Sequence, residues 1–406
     1  MNTFNAEEIR AHFPILQEVI HGNPLIYFDN GATSQKPTVV IDRISNYYAR
    51  ENANVHRGVH FLSDQATNAY EAARQTIAEF IHAKHPQEII FTKGATEGIN
   101  AIAFSLGESL QAGDEILISG MEHHANIVPW QMLCERKGTL LKVIPVLDNG
   151  TLDLQAFESL LNEKTKLLSI IHVSNTLGTI NPVEWMIEKA HAVGAKVLLD
   201  AAQSIQHLPI DVQALDCDFM VFSGHKVFGP TGIGILYGKR DILNELPPYQ
   251  GGGDMIETVT FEKTTYNELP LKFEAGTPNI AGAIGLGQAF SFMNSIDLRG
   301  AYQQEKELGD YLRERMREIP AIRFIGDAPE TCSTLSFLVG DLHPFDLGTL
   351  LDKQGIAVRT GHHCTQPLMQ RFNIPGTVRA SLAFYNTKNE IDLFIHALTR
   401  SIRMLS

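Results

Sequence analysis

The chain has 406 residues, with 33 Lys and Arg against 46 Asp and Glu and a formal net charge of −13. This length exceeds what one hydrophobic core usually supports, so two domains are expected. The charge argues against nucleic-acid and anionic-membrane partners, because both need clustered Lys and Arg. No apolar run approaches the roughly 20 residues of a membrane span, and the N-terminus lacks a signal-peptide pattern, so a cytoplasmic protein is expected.

The cysteines Cys134, Cys217, Cys332 and Cys364 include no C-x-x-C pair. In a long chain without a secretion signal we expect all four to be reduced thiols. The first three are assigned to the buried, inert class.

The N-terminal segment starts with an amphipathic helical pattern at 6–20, followed by a short strand at 24–29. Ser63 is the predicted N-cap of a long helix at 64–83. The loop before it carries His56 and Arg57, and from the sequence alone a structural and a functional role for this basic loop are equally consistent.

From residue 88 onward, apolar runs alternate with helical patterns, which is typical of βα units forming a mostly parallel sheet covered by helices. The predicted strands are 88–92, 114–119, 140–145, 167–173, 196–200 and 219–222, and the predicted helices are 96–109, 127–137, 153–161 and 183–193.

The last part of the chain begins with a predicted hairpin over 257–266 that leaves the sheet to cover the site or meet a partner. Helical patterns follow to about 293 and over 306–317. A smaller α+β domain is then predicted from strands near 322–325, 333–338, 356–359 and 377–383 and helices near 344–354 and 388–403. We expect a large domain at 23–292 and a small domain made of 1–22 and 293–406.

Asp200 ends one apolar run and Lys226 follows the next, so both belong at the carboxyl ends of strands, where open α/β sheets bind ligands. Any single Asp or Lys is more often a cap or a solvated loop residue. Together they match pyridoxal 5′-phosphate (PLP), which needs an amine for its aldehyde and a carboxylate for its pyridine nitrogen.

Further polar residues stand at the same strand ends. Gln203 is placed to reach the ring hydroxyl, Ser223 and His225 to bond the phosphate, and Thr96 to offer a hydroxyl at a helix start. His123 follows another strand and is a candidate to stack on the ring and move protons.

Asn175 ends the 167–173 strand and points toward the same crevice, although a turn-forming Asn explains it equally well. Arg379 is a charge inside an apolar strand pattern and needs a partner, either a structural carboxylate or the α-carboxylate of an amino-acid substrate.

The segment Arg359-Thr360-Gly361-His362-His363-Cys364 offers a thiol beside two imidazoles, and cationic neighbours favour the reactive thiolate. A metal site with His123-His124 is the rival interpretation. It lacks C-x-x-C or H-x-x-x-H spacing, so no metal ligands are predicted.

Four segments carry a family resemblance: MEHHANIVPWQ at 121–131, SGHKVFGPTGIG at 223–234, FEAGTPN at 273–279 and RTGHHC at 359–364. Over nearly its whole length the chain resembles the PLP-dependent cysteine desulfurases of the aminotransferase class V group, in particular the SufS type. The resemblance implies the α/β PLP-dependent transferase fold (aspartate-aminotransferase-like, fold type I), with a mostly parallel seven-stranded sheet and a smaller α+β domain.

The resemblance also implies an activity, the conversion of L-cysteine to L-alanine with a persulfide left on the enzyme. Lys226, Cys364 and His123 would be catalytic, with Arg379 as the carboxylate clamp and Arg359 beside it. The sulfur would pass to a SufE-like or SufU-like acceptor protein for iron–sulfur cluster assembly.

By the same resemblance, His56, Arg57 and Asn175 lie near the substrate, and Thr277 reaches the phosphate of the neighbouring subunit in a homodimer. The chain has Thr365 where the family motif has Ala, and Ala95 where a second Thr is common. Neither departure removes a group that the mechanism requires.

The alternatives are a selenocysteine lyase, an aminotransferase or kynureninase-like hydrolase, and a non-catalytic assembly scaffold. The aminotransferase and the hydrolase have no use for Cys364. Retention of the lysine, carboxylate, imidazole, guanidinium and thiol together argues against the scaffold.

Overall fold

The computed structural model describes residues 4–405. Its strands are, in chain order, β1 (Val19–Ile20), β2 (Asn23–Pro24), β3 (Ile26–Tyr27), β4 (Ile89–Thr92), β5 (Glu115–Ser119), β6 (Leu140–Ile144), β7 (Thr165–Ile171), β8 (Lys196–Asp200), β9 (Phe219–Ser223), β10 (Gly234–Gly238), β11 (Ile256–Val259), β12 (Thr264–Tyr266), β13 (Ile322–Phe324), β14 (Thr334–Val339), β15 (Ile356–Ala357), β16 (Arg359–Gly361) and β17 (Thr377–Ser381).

The α-helices flank these strands. They are α1 (Ala6–Arg10), α2 (Thr38–Asn46), α3 (Phe61–Phe80), α4 (Ala95–Ser105), α5 (Val128–Lys137), α6 (Leu154–Leu160), α7 (Val183–Ala192), α8 (Ser204–His207), α9 (Val212–Leu215), α10 (Arg240–Glu245), α11 (Ile280–Ser295), α12 (Leu298–Arg317), α13 (Pro344–Asp352), α14 (Gln366–Arg371) and α15 (Lys388–Leu405).

The large sheet has seven strands in the order β4-β10-β9-β8-β7-β5-β6. Only β10 runs antiparallel to its neighbours. Val197, Leu198 and Leu199 of β8 are all fully buried, so both faces of the sheet are covered, as expected for nearly continuous apolar strands. The predicted mostly parallel sheet is confirmed, and β10 is a strand that the sequence analysis did not identify.

The C-terminal part forms an antiparallel sheet in the order β13-β14-β17-β16, with its own hydrophobic core against α12, α13 and α15. In this sheet Arg359 of β16 lies directly opposite Arg379 of β17. β15 pairs in parallel with β3, which joins the start of the chain to this part of the molecule.

Two details near the N-terminus correct the sequence analysis. The predicted helix at 6–20 ends at Arg10, because Phe13 before Pro14 is extended, and a short 3-10 turn follows. The cap of α3 is His60 rather than Ser63, since the His60 side chain accepts the Ser63 amide at 3.3 Å.

Within residues 4–405, no helix combines the length and the apolar character needed to cross a lipid bilayer.

Candidate active site

The carboxyl ends of the central strands open into a cavity of about 280 Å³ that the C-terminal sheet closes on one side. It brings together most of the predicted site residues, namely Thr96, His123, Asn175, Asp200, Gln203, Ser223, His225, Lys226, Arg359, Cys364 and Arg379.

Asp200 and Lys226 both line this cavity and interact electrostatically. Asp200 ends β8 and accepts the Ala202 amide through Oδ1 at 2.9 Å, while its Oδ2 has no hydrogen bond in the described chain. Burial lowers the pKa of Lys226 to about 8, and nearby Asp200 opposes that shift. The site therefore holds an amine that deprotonates easily next to a carboxylate with a free oxygen.

His123 is held as a neutral ring. Its Nδ1 accepts the Ala125 amide at 3.0 Å, and burial, followed by the positive charge of Lys226, lowers its pKa to about 3. With Nδ1 occupied as an acceptor, the ring proton is on Nε2. Beneath this turn, buried Glu122 accepts the amide of Ile171 at 3.0 Å and thereby fixes the turn to β7.

The start of α4 forms an anion cradle. Thr96 is exposed, and neither its amide nor its hydroxyl has a partner in the described chain. Ser223 Oγ accepts the Ala95 amide at 2.9 Å, which leaves its own proton free to donate. Gly94 has φ +154°, and a Cβ there would lie 3.1 Å from Ser223 Oγ, so the turn favours glycine. These features suit a phosphate.

The backbone of the Lys226 turn is fixed by hydrogen bonds from the 33–36 segment. The carbonyl of His225 accepts hydrogen bonds from Thr33 Oγ1 at 2.9 Å and Lys36 Nζ at 3.0 Å. Gln203 donates through Nε2 to the Gly31 carbonyl at 2.7 Å, so its amide oxygen is the group left for a ligand.

Asp29 joins the two arginines of the site and was not identified as a site residue from the sequence. Arg359 donates to it through Nε at 3.0 Å and NH2 at 2.8 Å, and Arg379 through NH2 at 3.2 Å. Arg379 also donates to the Asn175 carbonyl at 2.8 Å. The buried atoms Arg379 Nε and Asn175 Oδ1 have no partner in the described chain, which marks them as groups available to a ligand.

Cys364 lies at the cavity mouth with an exposed side chain and φ +58°. Its amide donates to His362 Nδ1 at 3.1 Å, and its carbonyl accepts the His124 amide at 2.8 Å. His363 corrects the expectation of two cationic imidazoles, because burial lowers its pKa to about 2 and its Nε2 meets Thr377 Oγ1 at 2.7 Å.

Three predicted site residues lie outside this cavity. His56 Nε2 contacts Glu71 Oε1 at 2.9 Å, and Arg57 Nε contacts Asp254 Oδ1 at 2.6 Å. Thr277 lines a different cavity of about 510 Å³. Their predicted roles toward substrate and phosphate stay predictions.

The polar groups of the cavity match the aldehyde, the ring nitrogen and the phosphate of PLP. Lys226 provides the amine for the aldehyde, Asp200 a free carboxylate oxygen for the ring nitrogen, and the Thr96 and Ser223 groups donors for the phosphate. Among the described residues, no three His, Cys, Asp or Glu side chains are grouped to hold a metal ion.

The model of the aminotransferase class-V family matches residues 26–394. The chain belongs to this family. Together with the relatives and solved structures described next, the match confirms the predicted resemblance, fold type and PLP-dependent class of enzyme.

Two relatives in this family share about half of their aligned residues with this chain. The chain is 51% identical over 405 residues to a probable cysteine desulfurase of Synechocystis sp., covering 99% of this chain and 96% of the relative. It is 52% identical to probable cysteine desulfurase 1 of Mycobacterium leprae, but it spans only 66% of that longer protein.

Solved structures give the same fold. The cysteine desulfurase CsdA of Escherichia coli superposes with a TM-score of 0.93 at 37% identity, over the full length of both chains. A mutant of C-DES, solved with glycine covalently linked to its PLP cofactor, superposes with a TM-score of 0.83 at 25% identity, covering 97% of this chain and 98% of that one.

Proposed function

We propose that the protein is a PLP-dependent cysteine desulfurase that converts L-cysteine to L-alanine and keeps the sulfur as a persulfide on Cys364. The observation that carries the proposal is one cavity lined by an amine, a carboxylate, a neutral imidazole, a guanidinium and an exposed thiol: Lys226, Asp200, His123, Arg379 and Cys364. The relatives named as cysteine desulfurases support it.

Substrate binding uses the arginine end of the cavity. A planar guanidinium can hold an α-carboxylate through two parallel hydrogen bonds, and Arg379 keeps its Nε unpartnered in the interior. Holding the carboxylate there orients the Cα–H bond toward Lys226.

PLP, bonded to the substrate amine in place of Lys226, would supply an electron-accepting ring that stabilises negative charge on the substrate Cα and would leave the Lys226 amine free. Because burial lowers the pKa of Lys226 to about 8, part of the amine is neutral near pH 7 and can accept the Cα proton at Nζ. The neutral His123 ring can donate a hydrogen bond through its Nε2–H to a reacting group.

Cys364 Sγ, as thiolate, attacks the substrate sulfur. The new S–S bond forms as the substrate Cβ–S bond breaks, and that electron pair stays on carbon, which is protonated to give alanine. Arg359 and Lys226 line the same cavity as the thiol.

The proposal includes a protein partner and a compartment. Only residues 360–363 separate Cys364 from Arg359, so the persulfide stays near the cavity mouth. An acceptor protein of the SufE or SufU kind would dock there and carry sulfur to iron–sulfur cluster assembly.

The proposed compartment is the cytoplasm. Its reducing conditions suit the four free thiols of the chain.

The test is alanine formation from L-cysteine by the Cys364→Ser variant. We expect this variant to bind PLP and L-cysteine and to lose alanine formation at least about a hundredfold, because the sulfur-accepting nucleophile is gone. Cys134→Ser is the matched control and should keep wild-type activity.

Wild-type alanine formation by Cys364→Ser would contradict the proposal and favour a lyase that does not need the thiol. The same assay under limiting reductant should be stimulated by the acceptor protein from the same genome.

A further inference from the structure

The two arginines of the cavity form an unusual cross-strand pair. Arg359 of β16 and Arg379 of β17 are directly opposite each other in an antiparallel sheet. Like charges in this position repel and destabilise a sheet unless a counter-ion is present.

Asp29 is the counter-ion, and it belongs to a distant part of the chain. It accepts three hydrogen bonds from Arg359, at 2.8 to 3.1 Å, and one from Arg379 at 3.2 Å. An isolated β-bridge between Asp29 and Ser381 holds Asp29 beside the last residue of β17. Asp29 itself is not among the residues that line the cavity.

The guanidinium groups are only partly used by these contacts. Arg359 NH1 has no partner in the described chain, and Arg379 Nε is buried without one. The cavity therefore keeps N–H donors for an anion. One of the two positive charges is already neutralised by Asp29.

We propose that Asp29 is a specificity-determining residue, which limits the arginine end of the cavity to one monoanionic carboxylate. Arg359 and Arg379 together carry two positive charges, and Asp29 removes one of them. The charge that remains matches a single α-carboxylate. A second carboxylate on the same carbon would meet no unpaired cation and would be disfavoured by its desolvation.

This inference rests on the proposed function and deepens it, because it specifies the net charge of the substrate group that the two arginines bind. Asp29 acts through Arg359 and Arg379 and is a positioning residue, with no predicted contact to the reacting atoms.

The experiment compares two unreactive carboxylates, propionate and malonate, titrated into the PLP-loaded enzyme by isothermal titration calorimetry. The quantity of interest is the ratio of their dissociation constants. In the wild type, malonate should bind no more tightly than propionate. In Asp29→Asn the ratio should shift toward malonate by about tenfold or more, because both guanidinium charges become available for charge-assisted hydrogen bonds.

Asp29→Glu restores the charge and should return the ratio to near the wild-type value. Asp148→Asn is the matched control, since Asp148 pairs with Arg371 at 2.7 Å and is almost fully exposed. It should leave the ratio unchanged.

An unchanged ratio in Asp29→Asn, or an Asp29→Glu variant that behaves like Asp29→Asn, would overturn the assignment. If the asparagine variant does not fold, Asp29→Ser gives the same comparison. These titrations need no turnover, so failure of this inference differs from failure of the proposed function, which would appear as wild-type protein that makes no alanine from L-cysteine.

Discussion

Lys226 illustrates how burial at a single residue sets the chemistry of the site. The ordinary pKa of a lysine is about 10.4, so an exposed amine is almost fully protonated at neutral pH. Burial is the main cause that lowers the pKa of Lys226 to about 8; Asp200 opposes the shift and Arg379 adds to it. The amine is therefore partly neutral, and nucleophilic, under physiological conditions.

A pH dependence of cofactor attachment follows. Below its pKa the Lys226 amine is protonated and cannot bond the PLP aldehyde, and above it the amine is neutral. The rate of PLP attachment to the cofactor-free protein should therefore rise about tenfold between pH 7 and pH 9 and then level off. The measurement is borohydride trapping of PLP against pH.

Lys226→Ala should trap no PLP in this assay and is its control. A rate that keeps rising by about a factor of ten per pH unit up to about pH 10 would show an ordinary lysine pKa instead.

At the scale of elements, one buried ion pair connects several segments around the site. Arg74 of α3 is 1% exposed and contacts Glu274 through NH1 at 2.7 Å and NH2 at 3.0 Å. Glu274 also accepts the amide of Phe91 in β4 at 2.7 Å. Through Glu71, Arg74 is linked to the turn that carries His56. The pair thus fixes helix α3, the strand before the phosphate cradle and the 273–279 segment to one another.

Removing only the cation should be strongly destabilising. Arg74→Met leaves the carboxylate of Glu274 buried without its charge partner, which typically costs about 3–5 kcal/mol. We expect a clear drop in the denaturant midpoint of unfolding, followed by circular dichroism.

The double variant Arg74→Met with Glu274→Gln should recover much of the loss, because no buried charge is then unpaired. Asp148→Asn, which breaks an exposed pair with Arg371, should lower the free energy of unfolding by less than about 1 kcal/mol. Equal losses of stability in Arg74→Met and Asp148→Asn would contradict the predicted importance of the buried pair.

For the whole molecule, the placement of Thr277 bears on oligomeric state. Thr277 lies in a cavity separate from the one that holds Lys226, together with Lys93 and Asn279. A role at the PLP phosphate therefore requires a second subunit, as the family resemblance implies. His56 and Arg57 also lie outside the cavity of their own chain.

We expect sedimentation velocity to show a homodimer. Thr277→Val should remain dimeric and bind PLP about tenfold more weakly, because one phosphate hydrogen bond is lost from the neighbouring site. The affinity is measured by the absorbance of bound PLP during titration. A monomer that binds PLP with wild-type affinity would contradict both parts of this expectation.

Much of the sheet was predictable because its strands are largely apolar and several of them end in polar residues. The runs that end at Asp200 and Ser223 identified two neighbouring strands, and the rule that ligands bind at carboxyl ends placed Lys226 and His123 beside them. Strand β10 was not identified because its apolar run is only Ile235-Leu236-Tyr237, between two glycines. The helix at 6–20 was predicted too long because the Phe13-Pro14 break was not considered.

The sequence by itself determined the amine, the carboxylate, the imidazole and the thiol of the site, because each is marked by a local strand end or motif. Only the tertiary structure decided the charge balance around them. Asp29 meets Arg359 across 330 positions of the chain, and no local pattern encodes such a contact. His363 likewise looked like a cationic neighbour of Cys364, yet folding buries it, and a buried imidazole stays neutral.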